Sequence, residues 1–272
     1  MTDARPTPEP GGAANHSADP PPAFTPAEIA TLTKGRLLAT SLRPVRGAAV
    51  DSRAIVAGNA FVALPGERTD GHRFLSAAAT AGAAALIVTR IPADAELTAL
   101  GDVSVVLVDD GLAALHALAA AWRSRFELLV VGVTGSVAKT STKEATAGVL
   151  ARRFRTLKNE GNQNNEIGLP LTVLRLGPEH EAAVLEMGMY VGGEIADLAR
   201  LGRPRIGVVT AVHGVHLSRI GSLDAIERAK GELVEALPPA TAGGVAVLNA
   251  GDERVARMAS RTRARVVTYG FR

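Results

Sequence analysis

The sequence has no cysteine, which excludes disulfide bonds and thiolate metal sites. Aromatic residues make up only 3% of its 272 residues, so a core must be built mainly from alanine, valine and leucine. No apolar run approaches the roughly 20 residues that cross a bilayer. The N-terminus has no charged start followed by an apolar stretch, so no signal peptide is expected. These absences predict a cytoplasmic protein that does not insert into a membrane.

Lysine is also scarce. The formal net charge is +3, and lysine occurs only at Lys34, Lys139, Lys143, Lys158 and Lys230. The basic residues are scattered and few aromatic rings are available to stack on bases, which argues against a nucleic-acid partner. In a chain that favours arginine, each retained lysine is a candidate for a specific role. A solvated surface lysine remains the ordinary interpretation for most of the five.

The chain divides into a tail and two α/β units. Residues 1–23 are rich in proline, glycine, alanine and serine and are predicted to be disordered. Order is expected to begin with a helix capped by Thr25 and carrying Pro26 in its first turn. Buried strands are predicted at residues 60–64, 84–88, 103–108, 127–133, 182–187, 205–211, 243–250 and 264–270, and helices at 74–83 and 111–126. This alternation predicts an α/β fold, with a small unit at 24–126 followed at 127–272 by a mostly parallel sheet covered by helices on both faces.

The segment at 130–142, VVGVTGSVAKTST, indicates a phosphate-binding loop between a strand and a helix. Backbone N–H groups and the positive end of a helix attract phosphate at such a junction. Lys139 is expected to reach the β- and γ-phosphates of a nucleotide, and Thr140 to offer its hydroxyl to Mg²⁺. The residues predicted to bind the nucleotide here are Gly135, Ser136, Ala138, Lys139, Thr140 and Ser141.

Ala138 stands where such loops usually have their last glycine. A methyl group is tolerated if position 138 has right-handed helical dihedrals. It costs on the order of 1 kcal/mol or more if the position needs a positive φ. On the loop alone, a nucleotide site and an ordinary strand–helix turn with an exposed lysine both remain open.

Further blocks of the sequence carry a family pattern. They are VDSRAIVAGNAFVALPGERTDGHRFLSAAATAGAAALIV (50–88), GNQNNEIGLPLTVLRL (161–176), AVLEMGMYVGGEIADLARLGRP (183–204) and HLSRIGSLDAIERAKGEL (216–233). Together with the loop, these blocks resemble the Mur ligases of peptidoglycan synthesis, over about residues 25–272. The asparagine-rich block is the most specific of them, and the first block is similar to the UDP-sugar-binding domain of the family.

The resemblance implies an ATP-dependent amide ligase. In this family a carboxylate attacks the γ-phosphate of ATP to form an acyl phosphate, which an amine then attacks. The branch that this pattern resembles implies UDP-N-acetylmuramoyl-tripeptide and D-alanyl-D-alanine as substrates, with Mg²⁺, at one or two sites, as the metal. It also implies that residues 24–126 bind the UDP substrate and that residues 127–272 bind ATP. We expect a monomer.

The resemblance also implies roles for individual residues. The implied metal ligands are Thr140, Glu186, His216 and Lys230, and the implied catalytic residues are Lys139, His216 and Lys230, with Lys230 carbamylated. The implied substrate-binding residues are Asp51, Ser52, Arg53, Asn162, Asn164 and Asn165, with Asp70, Gly71 and His72 nearby, and Asn249 is expected to face adenine with Asp252 close to it. Two of these positions also fit the strand pattern, because Glu186 lies at the end of one buried strand and His216 follows another, and the carboxyl ends of these strands should meet at one edge. A turn built on asparagine backbone geometry is the alternative for the asparagine-rich loop, and His213 is expected to be structural or solvent-facing.

Two departures from the family pattern leave alternatives open. Val137 and Ala138 replace an Asn-Gly pair, and the family has a third domain, whereas the sequence stops after VVTYGFR. We therefore expect a fragment or a truncated relative that binds nucleotide and forms almost no amide product by itself. A non-catalytic binding protein for nucleotide and UDP precursor is one alternative. A ligase of the folylpolyglutamate or cyanophycin synthetase type is another, although the UDP-sugar-like block and the asparagine-rich block argue against it.

Overall fold

The computed structural model of the chain describes residues 22–66, 69–214 and 221–270, and these residues build two β-sheets flanked by helices. The tail predicted to be disordered, residues 1–23, lies outside the described residues except for its last two positions. Within the described ranges, no helix has both the length and the apolar character needed to cross a bilayer.

The first sheet has the strand order β1-β5-β4-β3-β2. Its strands are β1 (Arg36–Ala39), β2 (Ala48–Ala49), β3 (Ala60–Val62), β4 (Ala85–Val88) and β5 (Ser104–Leu107). Strands β2 to β5 pair in parallel, and β1 pairs antiparallel with β5. The predicted strands in this unit are confirmed. The pattern missed β1 and β2 because both are short and only partly buried, so that pairing with a neighbour defines them more than their own residues do.

Helices pack against both faces of this sheet or at its ends. They are α1 (Pro26–Thr33), α2 (Leu75–Thr80), α3 (Asp94–Ala99) and α4 (Gly111–Arg123). The predicted start of α1 is confirmed: the Thr25 hydroxyl accepts from the Glu28 N–H at 3.2 Å, and the Glu28 carboxylate accepts from the Thr25 N–H at 2.7 Å. This reciprocal cap satisfies two backbone donors that the helix start would otherwise leave free.

The second sheet is parallel throughout and has the order β11-β10-β9-β6-β8-β7. Its strands are β6 (Leu129–Thr134), β7 (Thr156–Lys158), β8 (Ala182–Glu186), β9 (Ile206–Val209), β10 (Val245–Asn249) and β11 (Arg265–Tyr269). Its helices are α5 (Lys139–Leu150), α6 (Gly168–Val173), α7 (Glu194–Gly202), α8 (Leu223–Glu235) and α9 (Glu253–Arg257). All five strands predicted here are confirmed, and β7 is an addition.

Both faces of the second sheet are covered, as predicted. Val131 and Val133 of β6 pack with Ala147 of α5 on one face. Val130, which points the other way along the same strand, belongs with Leu198 of α7 to the large core on the opposite face. Alternate residues of β6 therefore enter two separate apolar layers, which explains why this strand reads as a continuous apolar run.

The strand order places the site. The chain leaves β6, forms α5, and adds β7 and β8 on one side of β6 before β9 and β10 are added on the other. The connections therefore diverge at the carboxyl end of β6 and open a crevice there. Ligands of open parallel sheets bind at such a switch point.

Candidate functional site

A cavity of about 220 Å³ lies at the carboxyl ends of β6 and β8. Four segments line it: the loop after β6, the asparagine-rich loop, the residues after β8, and α8. The lining residues are Gly135, Lys139, Asn162, Asn164, Asn165, Gly188, Met189, Tyr190, Ile226 and Lys230. The fold thus brings Lys139, Lys230 and the three predicted asparagines to one cavity.

Contacts with the chain after β9 hold the loop after β6 in place. Gly135 has a φ of +149°, and a Cβ at this position would overlap the Thr210 hydroxyl, so that only glycine fits. The Ser136 hydroxyl donates to the His213 carbonyl at 3.0 Å and accepts from the His213 N–H at 2.9 Å. The Ser136 hydroxyl is therefore engaged in two hydrogen bonds to the backbone of His213. The exposed His213 side chain agrees with its structural or solvent-facing interpretation.

Ala138 has the left-handed conformation, with φ 60° and ψ 11°. This resolves the question that the sequence left open, because the position has the positive φ that favours glycine. The left-handed region costs a residue with a Cβ about 1–2 kcal/mol. Neighbouring bonds hold the conformation: Thr210 donates to the Val137 carbonyl at 2.6 Å, and the Thr142 N–H donates to the Ala138 carbonyl at 3.0 Å.

Glu186 is the buried carboxylate below the loop, with 1% of its surface exposed. Its Oε2 accepts from the Thr140 hydroxyl at 2.9 Å, and its Oε1 accepts from the Asn164 side-chain amide at 2.7 Å. A carboxylate and a hydroxyl are hard oxygen ligands of the kind that Mg²⁺ prefers. Among the described residues, no group of three or more His, Asp or Glu side chains is arranged for a metal. Thr140 and Glu186 therefore fit an ion that takes its other ligands from phosphate and water.

Lys230 and Lys139 are the cations of the cavity. Lys230 is 4% exposed, and burial, together with the charge of Lys139, lowers its pKa to about 7. Lys139 is half-buried at the first position of α5. A lysine with such a pKa exchanges between the charged and neutral forms near neutral pH, which suits a site that handles protons or anions.

Residues of the asparagine-rich loop line the cavity and also make hydrogen bonds that hold the surrounding backbone in place. The Asn165 side-chain oxygen accepts from the Gly168 N–H at 2.9 Å and so closes the turn that leads into α6, as the turn interpretation predicts. Asn162 and Asn164 face the cavity, and the Asn164 carbonyl accepts from the Gly188 N–H at 2.7 Å. The loop is thus both a turn and part of the cavity wall.

Sequence reasoning missed Lys143 and Asn159. Lys143 has no exposed surface, and its ammonium donates to the Asn159 carbonyl at 2.8 Å. The Asn159 side chain accepts from the Glu186 N–H at 2.9 Å and donates to the Glu186 carbonyl at 3.0 Å. The scarcity of lysine, and the position of Lys143 one helical turn after Lys139, were the available signals.

Asn249 lies at the carboxyl end of β10, outside the wall of this cavity. Its amide donates to the Thr210 carbonyl at 2.9 Å, and its side-chain oxygen accepts from the Gly251 N–H at 2.9 Å. Asp252 caps α9 and accepts from the Val212 N–H at 2.8 Å. Both side chains join β10 to the end of β9. The remaining predicted ligand, His216, lies outside the described residues.

The predicted residues of the first unit lie at the carboxyl end of its sheet. Asp51 follows β2 and caps a 3-10 turn at Ser52–Ala54. Hydrogen bonds from Arg53 lower the pKa of Asp51 to about 2, and the bond from its side chain has a larger effect than the bond from its backbone N–H. The Arg53 side chain pairs with it at 2.6 Å and is 88% exposed. The turn therefore presents a guanidinium to solvent at the sheet edge.

A second turn at the same edge is tied together by His72. The buried His72 accepts from the Thr89 N–H through Nε2 at 3.0 Å, so its proton lies on Nδ1, which donates to Asp70 at 2.7 Å. Three hydrogen bonds hold the pKa of Asp70 well below its usual value. The bond from the His72 backbone N–H has the largest effect, followed by those from the His72 side chain and from Arg90. The ionised Asp70 thus connects the loop after β3 to the residues that follow β4.

Comparison with known proteins agrees with this geometry. The family description "Mur ligase middle domain" matches residues 133–272, and "Mur ligase family, catalytic domain" matches residues 44–123. The UDP-N-acetylmuramoyl-tripeptide–D-alanyl-D-alanine ligase of Synechocystis is 42% identical over 223 residues, which are 81% of this chain and 47% of the relative. The enzyme of the same name from Escherichia coli is 43% identical over 200 residues, 74% of this chain and 42% of the relative.

Solved structures share the fold. A crystal structure of MurF from Acinetobacter baumannii matches with a TM-score of 0.81 and 31% identity, over 93% of this chain and 54% of that one. The MurF ligase of Thermotoga maritima in complex with ADP matches with a TM-score of 0.72 and 31% identity, over 83% of this chain and 50% of that one. The chain spans about half the length of the curated relatives it matches. With its middle-domain match covering more than half of its residues, this chain belongs to the Mur ligase family.

Proposed function

We propose that this chain carries the ATP site and the UDP-precursor site of a ligase in peptidoglycan precursor synthesis. The reaction joins D-alanyl-D-alanine to UDP-N-acetylmuramoyl-tripeptide through an acyl phosphate. The observation that carries this proposal is the cavity at the carboxyl ends of β6 and β8, where Lys139 and Lys230 face the asparagine-rich loop above the buried Glu186. The names of the relatives and the ADP bound to the Thermotoga maritima enzyme support it.

The two units would divide the substrates between them. We assign the UDP precursor to residues 24–126 and ATP to residues 127–272. The Arg53 guanidinium is exposed at the carboxyl edge of the first sheet, where it can form two hydrogen bonds to a phosphate. The cations and backbone N–H groups after β6 suit the triphosphate of ATP.

The chemistry requires two anions, the substrate carboxylate and the γ-phosphate, to approach each other. Lys139 would supply positive charge in the cavity, as would Lys230 in its unmodified form, and the amides of Asn162 and Asn164 would donate to oxygens of phosphate or sugar. Thr140 and Glu186 would hold Mg²⁺, which when bound neutralises charge on the phosphate oxygens. His216 stays a proposed ligand for a second metal ion. Because the fold holds these side chains in place, they would orient the substrate carboxylate and the γ-phosphate and take the place of water around them.

Carbamylation of Lys230 belongs to the same proposal. Carbon dioxide reacts with a neutral amine, and the lowered pKa of Lys230 keeps part of this amine neutral near pH 7. The amine nitrogen bonds to the carbon and loses a proton to water, so the product would be a carbamate anion among the oxygen ligands. A reaction that consumes ATP fits the cytoplasm, and we propose that the protein acts there as a monomer.

Calorimetric titration tests the proposal. The chain should bind ATP with Mg²⁺ and, separately, UDP-N-acetylmuramoyl-tripeptide. Arg53→Met should weaken the binding of the UDP precursor but not of ATP. Arg36→Met, which changes an exposed arginine of β1, should leave the affinity for both ligands unchanged. Binding of a folate substrate in place of the UDP precursor would contradict the proposal.

A second candidate is a binding protein without catalysis. The strained Ala138 in the phosphate loop favours it, since a loop under strain can retain affinity without the geometry needed for transfer. Incubation with both substrates, ATP and Mg²⁺, followed by mass detection of the pentapeptide product and of phosphate, separates the two. Ligand binding with neither product nor phosphate release would favour this candidate.

A further inference from the structure

Lys143 is a buried cation that the proposed chemistry does not use. It lies on α5, one turn after Lys139, and no part of its surface is exposed. Unlike Lys139 and Lys230, it is not among the residues that line the cavity. An ammonium that loses its water needs close partners, because burial of an unpaired charge costs several kcal/mol.

The partners of Lys143 are two backbone carbonyls at the entrance to the asparagine-rich loop and two glutamate side chains. Its Nζ donates to the Asn159 carbonyl at 2.8 Å and lies 3.5 Å from the Gly161 carbonyl. It also lies 3.2 Å from Oε1 of Glu144 and 4.0 Å from Oε2 of Glu186. The ammonium therefore joins α5 to the start of the loop that carries Asn162 and Asn164.

Asn159 extends this connection to Glu186. Its backbone carbonyl receives the Lys143 ammonium, while its side chain bonds both the N–H and the carbonyl of Glu186. The Glu186 carboxylate in turn receives Thr140 and Asn164. Helix α5, the end of β8 and the start of the asparagine-rich loop thus meet around one buried cation.

We propose that Lys143 is a positioning residue for the metal: it fixes the asparagine-rich loop and Glu186 relative to α5. This role rests on the proposed ATP and Mg²⁺ site. Without the ammonium, the carbonyls of Asn159 and Gly161 lose their donor, and the loop is free to move away from α5. The oxygens offered to the metal then lose their fixed arrangement, while the backbone around Lys139 stays in place.

Lys158 offers a matched control. It pairs with the other oxygen of Glu144, so it belongs to the same charged group, but its side chain is 41% exposed and the asparagine-rich loop is not among its partners. Lys158→Met removes one positive charge at the Glu144 carboxylate, as Lys143→Met does. The two variants differ in whether the loop carbonyls lose their donor.

The experiment measures nucleotide binding by calorimetry with and without Mg²⁺, together with hydrogen exchange of the backbone amides at residues 161–168. In Lys143→Met, the gain in ATP affinity from Mg²⁺ should fall by about 10- to 100-fold, as expected when a supporting residue of a metal site is lost. Exchange in the loop should become faster. The affinity of Lys143→Met for metal-free nucleotide should stay within about 3-fold of that of the unaltered chain. For Lys158→Met, the affinity with Mg²⁺, the affinity without Mg²⁺ and the exchange rate of the loop should all stay within about 3-fold of those of the unaltered chain.

Several outcomes would overturn the proposal. They are an unchanged Mg²⁺ gain in Lys143→Met, an equal loss with and without metal, and the same loss in Lys158→Met. If Lys143→Met does not fold, Lys143→Arg decides: a folded variant with a reduced Mg²⁺ gain supports the role, whereas wild-type behaviour or a failure to fold overturns it. If the unaltered chain binds no ATP with Mg²⁺, the proposed function itself is wrong. Wild-type binding that Lys143→Met leaves intact refutes only the positioning role.

Discussion

Thr140 and Glu186 are 46 positions apart in the sequence, and the Thr140 hydroxyl donates to the Glu186 carboxylate at 2.9 Å. The parallel register explains their meeting, because Val133 at the end of β6 pairs with Glu186 at the end of β8. Thr140 is the second residue of α5, the helix that follows β6. The hydroxyl and carboxylate oxygens therefore occupy the same sheet edge as the phosphate loop.

This pair predicts that Glu186→Gln removes most of the Mg²⁺-dependent gain in ATP affinity. The amide keeps the shape of the side chain but loses the negative charge that attracts the ion. We expect at least a 10-fold loss of that gain, on the order found when groups supporting a metal site are changed. Calorimetry with and without Mg²⁺ measures it. Glu160→Gln, which alters an exposed glutamate paired with Arg175, is the control and should leave the gain intact.

Lys139→Ala should weaken ATP binding by about 10- to 100-fold, which corresponds to the loss of hydrogen bonds to a charged group. The physical reason is the position of the ammonium in the cavity wall at the start of α5. Lys34→Ala, at the end of α1, should change the affinity by less than about 2-fold. Equal affinities of the two variants, measured with Mg²⁺ present, would show that the loop does not bind the nucleotide.

Ala138→Gly should stabilise the fold. Glycine adopts the left-handed backbone conformation at this position without steric strain. Its greater conformational entropy in the unfolded chain offsets part of this benefit, so the free energy of unfolding should rise by roughly 0.5–1 kcal/mol. Ala145→Gly, in the exposed interior of α5, should instead cost about 1 kcal/mol. Urea unfolding of both variants checks the opposite signs. A loss of stability in Ala138→Gly would mean that the loop has adapted to alanine.

With Val137→Asn added, Ala138→Gly should also raise ATP affinity. Glycine removes a methyl group close to the expected phosphate position, and asparagine adds a polar group at the exposed position 137. Calorimetric comparison of the double variant with the unaltered chain measures the effect. An unchanged or weaker affinity would show that the methyl group lies clear of the bound phosphate.

Lys230 should make stability depend on pH. Its pKa is about 7 in the folded chain and returns to about 10.5 on unfolding. Between these values the unfolded chain binds the proton and the folded chain releases it, so the free energy of unfolding should rise with pH by up to about 1.4 kcal/mol per unit. Below about pH 7 both states are protonated and the cost of burying the charge is fully present.

The measurement is urea unfolding at about pH 7 and about pH 9 for the unaltered chain and for Lys230→Met. The variant has no charge to bury, so its advantage over the unaltered chain should shrink as the pH rises. A difference between the two proteins that stays constant over this range would contradict the lowered pKa.

Local sequence determined most of the framework. Apolar runs bounded by glycine and polar residues identified the buried strands of both sheets, and Thr25 with Pro26 identified the start of α1. The glycines before Lys139 located the loop between β6 and α5. Such features act within a few residues of one another, through side-chain periodicity and capping, and so the sequence alone specifies them.

The tertiary structure decided the conformation of Ala138 and the burial of Lys143. Ala138 is held in a left-handed conformation partly by Thr210, which bonds Val137 from 73 positions away. Lys143 has the sequence context of an ordinary lysine on a polar helix, and its burial depends on the Asn159 carbonyl, just before the asparagine-rich loop, and on nearby carboxylates. Both outcomes depend on contacts between segments that the fold brings together. The free energy of those contacts outweighs the local preference of alanine for negative φ and of lysine for water.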